Sequence, residues 1–144
     1  MLSQGPVPAF VHGLLEYAVG ILFIVAPFLF GFDATAATAA SVVIGLALLA
    51  FTACSDLPTG LVRSITPGVH LTVDMVLAVL MVALPFVLGF TDEAAPTAWF
   101  IGLGVLHLLV SIGTRFDRGG DEVTSRDVSS ADGEPGSTGE APAG

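Results

Sequence analysis

The sequence predicts an all-α integral membrane protein: a four-helix bundle made of two tandem helical hairpins, followed by a disordered acidic tail. Three observations carry this reading. Apolar residues make up 53% of the chain and charged residues only 12%, with a mean hydropathy of +0.88. That is about half the charge of an ordinary soluble domain, too little for a water-soluble shell. Four apolar stretches follow one another, each close to the ~20 residues that cross a ~30 Å hydrocarbon core as a helix. Finally, the second half of the apolar region restates the first at an offset of 58 residues.

Residues 1–10 form an N-terminal flank without lysine or arginine. The first span covers residues 11–32. Ala34, Thr35 and Ala36 resemble a cleavage site, but the flank has no basic region and the apolar run is too long for a signal peptide and contains Glu16, so it is read as a membrane span. The second span covers residues 36–55, and the two make hairpin repeat 1, residues 11–55. A connection over residues 56–68 holds Asp56, Pro58, Gly60, Pro67 and Gly68, all turn formers. Repeat 2, residues 69–114, has spans at 69–90 and 95–114, separated by Asp92, Glu93 and Pro96. These runs lack the alternation of a membrane barrel, and only helices or closed barrels satisfy their backbone in lipid. Residues 115–144 are rich in Gly, Ser, Asp, Glu and Pro, and Val123 and Val128 are their large aliphatics beyond Phe116. Such a segment buries too little apolar surface to offset chain entropy and is expected to be disordered.

The repeat is specific. His12 and Glu16 fall on His70 and Asp74; Pro27, Gly31 and Phe32 fall on Pro85, Gly89 and Phe90. After a one-residue slip in the loop, Ile44-Gly45-Leu46 falls on Ile101-Gly102-Leu103. A hairpin returns the chain to its starting side, so the two copies are expected to share one topology and to pack as a pseudo-symmetric pair about the membrane normal, unlike inverted-repeat transporters. A two-helix unit with a Pro-aromatic pair near the end of its first helix, followed by glycine, resembles the SPW repeat family of small prokaryotic membrane proteins. The resemblance covers residues from about 10 to 114. The family's Ser-Pro-Trp is replaced by Ala26-Pro27-Phe28 and Leu84-Pro85-Phe86. It implies a membrane location and a two-helix unit, and no reaction.

Charge fixes an expected orientation. Arg63 lies in the 56–68 connection and Arg115 and Arg118 follow the last span, whereas the other two connections hold Asp33, Asp92 and Glu93 and no basic residue. The positive-inside rule then puts both termini in the cytoplasm and the protein in the cytoplasmic membrane. A net charge of −9 with no lysine argues against nucleic acid. The single cysteine, Cys54, excludes an internal disulfide and a cysteine-based zinc site.

The informative residues are the polar ones inside the spans. Glu16 and Asp74 each follow a histidine, His12 and His70, by one helical turn on one face. His107 on the fourth span reaches the same depth, so these five residues are expected to form a polar layer near the cytoplasmic end, with Thr52, Cys54 and Ser111 close by. Ionisable groups at membrane depth face a bundle interior or a water-filled cavity. The leading reading is that they glue helices together in a structural or interaction protein. The alternative is a small proton- or cation-coupled transporter or channel subunit. Two histidines and two carboxylates also make a divalent-metal donor set. With no HExxH, phosphate loop, haem pattern or nucleophile–base pair, however, the sequence assigns no metal, no cofactor and no enzyme activity. Pro27 and Pro85 are expected to kink their helices by freeing the carbonyls of Phe23 and Met81. Phe28, Phe30, Phe32, Phe86, Phe90 and Trp99 read as an interfacial aromatic belt. Gly13, Gly20, Gly45, Gly102 and Gly104 read as points of close helix approach. The lipid bilayer and further copies of the chain in a homo-oligomer are the expected partners; the sequence names no other protein.

Overall fold

The structure is a computed structural model and describes residues 5–115. Its elements run β1 (Val7–Pro8), α1 (Ala9–Phe30), α2 (Thr35–Ala53), α3 (Pro67–Val87), α4 (Ala94–Gly113) and β2 (Thr114–Arg115). The four helices have 22, 19, 21 and 20 residues and are long and apolar enough to cross a membrane, at about 1.5 Å rise per residue. The protein is a multi-pass membrane protein. The acidic tail predicted at 115–144 lies, beyond Arg115, outside the described residues.

Both hairpins pack tightly along their own length, α1 on α2 and α3 on α4, and meet each other more sparsely along α1–α4 and α2–α3. Exchanging the repeats exchanges these two contacts, as a pseudo-twofold pair requires. Large apolar side chains, among them Leu14, Phe28, Val43, Val79, Phe86 and Leu109, are exposed on the outside of the bundle. In a bilayer these meet acyl chains, so their exposure costs nothing.

The first helix of each repeat ends earlier than its apolar run. Gly31 and Gly89 take left-handed conformations, φ 62° and 69°, which glycine adopts without a Cβ penalty. The amide of Phe32 then donates to the Pro27 carbonyl at 3.0 Å, and that of Phe90 to the Pro85 carbonyl at 3.0 Å. This is the six-to-one closure of a Schellman motif. It explains the Pro-x-x-x-Gly-Phe spacing and stops α1 at Phe30 rather than residue 32, and α3 at Val87 rather than residue 90. It also corrects the aromatic belt: the turn swings Phe32 and Phe90 inward, where they are buried with Phe23, Met81 and Phe100, while Phe28, Phe30 and Phe86 remain exposed. The Phe23 carbonyl freed by Pro27 accepts a hydrogen bond from the Ser41 hydroxyl at 2.5 Å.

The second helices correspond in a register different from the one their Ile-Gly-Leu triplets suggest. A Cβ on Gly45 would meet Gly20 and Ile24 of α1; a Cβ on Gly104 would meet Ala78 and Val82 of α3; one on Gly102 would meet nothing within 4 Å. Gly20 and Ile24 match Ala78 and Val82 at the offset of 58, so Gly45 matches Gly104. Thr52 then matches Ser111 and Ser55 matches Thr114. Gly102 is therefore not a point of close approach. The longer loop before α4 inserts a residue where the triplets implied a deletion, because close packing of the two helices, not local identity, sets their register.

Candidate functional site

α1 and α3 each present a histidine three residues after their start and an acid four residues later, one helical turn deeper. All four side chains are buried: His12, His70 and Asp74 are 0% exposed and Glu16 is 2% exposed. They converge on one point, and one ligating atom from each lies within 4.8 Å of all the others. The shorter approaches run between repeats. His12 Nε2 is 3.1 Å from Asp74 Oδ2 and His70 Nε2 is 3.1 Å from Glu16 Oε2. Within a helix the separations are 3.5 Å for His12–Glu16 and 3.3 Å for His70–Asp74.

The outer edge of each imidazole is held by a hydroxyl from the opposite repeat. Ser55 Oγ lies 2.6 Å from His70 Nδ1, and Thr114 Oγ1 lies 2.9 Å from His12 Nδ1. Short parallel strand contacts position these hydroxyls: β1 pairs with β2 through Val7–Thr114, and Ser55 bridges Ile65. Ile65 and Val7 differ by the repeat offset, so each chain entering a first helix is stitched to the end of the other repeat's second helix. Phe51 stacks on the His70 ring, with centroids 5.2 Å apart and planes at 11°. Thr52 reaches both the Leu48 carbonyl at 2.8 Å and Glu16 Oε2 at 3.0 Å.

His107 breaks the symmetry, since its counterpart in α2 is Leu48. Its Nε2 lies 3.9 Å from Asp74 Oδ1, and its ring centroid lies 6.5 Å from that of His12. Among the described residues, Glu16 Oε1, Asp74 Oδ1, His107 Nε2 and Ser111 Oγ are buried without a hydrogen-bond partner. Cys54 is half-buried and lies outside the donor group.

Beyond the centre the bundle is filled. Phe23, Met81 and Phe100 are fully buried, and the Phe23–Phe100 and Phe90–Phe100 centroid distances are both 5.4 Å. Trp99 packs edge-on to Phe23 at 5.9 Å. At the other end, Tyr17 donates to the Thr59 carbonyl at 3.3 Å, and a cleft lined by Pro8, Phe10, Asp56, Pro58, Pro67 and Arg115 opens to the surface. The ion pair of Arg63 with Asp56, 3.6 Å and largely exposed, adds little stability there.

Sequence reasoning named the five ionisable residues and missed Ser55 and Thr114 as their supports. Each hydroxyl stands at the end of a second helix, with its side chain bonded back to the carbonyl four residues earlier. That shared position was the available signal, hidden by the wrong helix register.

Comparison with curated proteins and with solved structures finds no match to the chain. A sequence model of the SPW repeat domain does match, over residues 10–114. The match takes in both hairpins, and with them both histidine–carboxylate pairs and both closing prolines; the chain belongs to the SPW repeat domain family.

Proposed function

We propose that this protein is a cation-binding structural protein of the cytoplasmic membrane, in which a cation held between His12, Glu16, His70 and Asp74 clamps the two hairpins together. The observation that supports this reading is the meeting of two carboxylates and two imidazoles, drawn equally from both repeats, in one fully buried centre. Helix glue needs one polar pair. Two carboxylates side by side in a medium of low polarity repel each other unless positive charge lies between them. The packed Phe23, Met81, Phe90 and Phe100 favour binding over conduction, because among the described residues these apolar side chains fill the bundle beyond the centre. Arg63 and Arg115 near the end where α1 and α3 start support a cytoplasmic orientation for it by the positive-inside rule.

Two measurements test this. Cysteines at Asp33 and Asp92, in a background with Cys54→Ser, react with an impermeant maleimide on intact cells, while one at the exposed Leu61 reacts only after permeabilisation; the reverse pattern inverts the topology. Thermal stability of the protein in nanodiscs depends on acid or on divalent cation, and Glu16→Gln combined with Asp74→Asn removes that dependence. The groups facing the centre are His12 and Glu16 from α1, His70 and Asp74 from α3, and His107 from α4, with α2 contributing the uncharged Thr52. A wild-type stability indifferent to both acid and divalent cation overturns the reading.

A further inference from the structure

We propose that the centre is a divalent transition-metal site, with His12 Nε2, His70 Nε2 and one oxygen each from Glu16 and Asp74 as ligands. This rests on the cation-binding reading and names the cation.

The hydroxyls decide which ring nitrogen carries hydrogen. A serine or threonine hydroxyl has one proton to donate. Ser55 commits its proton to the Phe51 carbonyl at 2.7 Å, and Thr114 commits its own to the Val110 carbonyl at 2.6 Å. Each hydroxyl oxygen therefore accepts from the imidazole beside it, and His70 and His12 both hold hydrogen on Nδ1. Both Nε2 lone pairs then point inward at carboxylate oxygens. Each Nε2 lies 3.1–3.5 Å from an oxygen of both carboxylates, an arrangement that is cohesive only around a positive charge. A histidine that donates from one ring nitrogen while the other faces a shared point is the arrangement of a metal ligand with its outer-shell support.

Spacing and charge select the class of ion. A tetrahedron with metal–ligand bonds of about 2.0–2.1 Å has edges of about 3.3 Å; the four imidazole–carboxylate separations are 3.1–3.5 Å, and one ligating atom from each residue lies within 4.8 Å of the others. Two carboxylates and two neutral imidazoles carry a charge that one divalent ion cancels, which matters in a buried site. Magnesium and calcium prefer oxygen ligands alone; imidazole with carboxylate suits zinc, iron, cobalt or manganese. His107 Nε2 and Asp74 Oδ1, both buried and without hydrogen bonds, stand 3.9 Å apart beside the site. The ion joins α1 to α3, whose hairpins otherwise touch sparsely.

The test uses full-length protein, purified through a histidine-free tag, reconstituted in nanodiscs, stripped with EDTA and titrated with Co²⁺. The expected result is about one Co²⁺ per chain, displaced by Zn²⁺, with the visible absorption of a low-symmetry nitrogen–oxygen site. Glu16→Gln with Asp74→Asn abolishes binding. Ser55→Ala and Thr114→Ala keep every ligand and weaken binding about 10–100-fold each, so they report on the site even if a ligand variant fails to fold. Hydroxyl variants that bind Co²⁺ as tightly as wild type overturn the orienting role that carries the assignment. Wild-type protein that takes up neither Co²⁺ nor Zn²⁺ overturns the metal. If its stability still depends on acid through Glu16 and Asp74, the cation is the proton and the preceding reading stands; if that dependence is also missing, both fall.

Discussion

Asp74→Ala separates the two hairpins and lowers the unfolding free energy by about 3–5 kcal/mol, the usual cost of stripping one partner from a buried charged group. Asp74 is fully buried and its Oδ2 lies 3.1 Å from His12 Nε2 and 3.3 Å from His70 Nε2. Its loss leaves two inward-facing imidazoles opposite Glu16 alone. Asp74→Asn preserves the shape and one acceptor, and costs about 1–2 kcal/mol. His107→Leu copies Leu48, its counterpart in the first repeat, and removes a buried nitrogen that lacks a hydrogen bond; its effect stays within about 1 kcal/mol. Denaturant unfolding in micelles, followed by circular dichroism, ranks the three. A loss for His107→Leu equal to that for Asp74→Ala would show that the five residues act as one network rather than as a four-residue centre with a neighbour.

Gly45→Ala and Gly104→Ala each cost about 1–3 kcal/mol through overpacking, whereas Gly102→Ala is neutral or stabilises by up to about 1 kcal/mol through helix propensity. The Gly45 Cβ would lie 2.7 Å from Ile24 Cγ1, in addition to its approach to the Gly20 carbonyl. The Gly104 Cβ would lie 3.0 Å from Met81 Cβ and 3.1 Å from the Ala78 carbonyl oxygen. Backbone atoms cannot step aside, so the hairpin must open. Because the same unfolding assay reads all three variants, this series also tests the helix register. If Gly102→Ala is the damaging substitution and Gly104→Ala is not, the correspondence drawn from the Ile-Gly-Leu triplets is the true one, and Ser55 and Thr114 are not equivalent.

Much of this protein was legible in one dimension. The four spans follow from apolar runs of bilayer length, since the cost of placing polar backbone and side chains in lipid is paid residue by residue. The hairpin repeat, the paired His12–Glu16 and His70–Asp74, and the Pro27 and Pro85 positions follow from spacing along the chain. What lay beyond reach was the inward side of the apolar stretches away from those polar residues, and the register between helices. In a soluble bundle an apolar stripe marks the core, but lipid is as apolar as the core, so Phe28 and Phe32 look alike until one is found exposed and the other buried. Only the few polar residues betray the interior, and they placed Glu16, Asp74 and His107 together while leaving Ser55 and Thr114 unread. Those two hydroxyls meet their histidines across 15 and 102 residues of chain, and only after Gly45 and Gly104 have set how closely each hairpin packs. The spans belong to the sequence because membrane insertion is a local free energy; the orientation of the imidazoles belongs to the tertiary structure because it depends on which helices touch, and at what register.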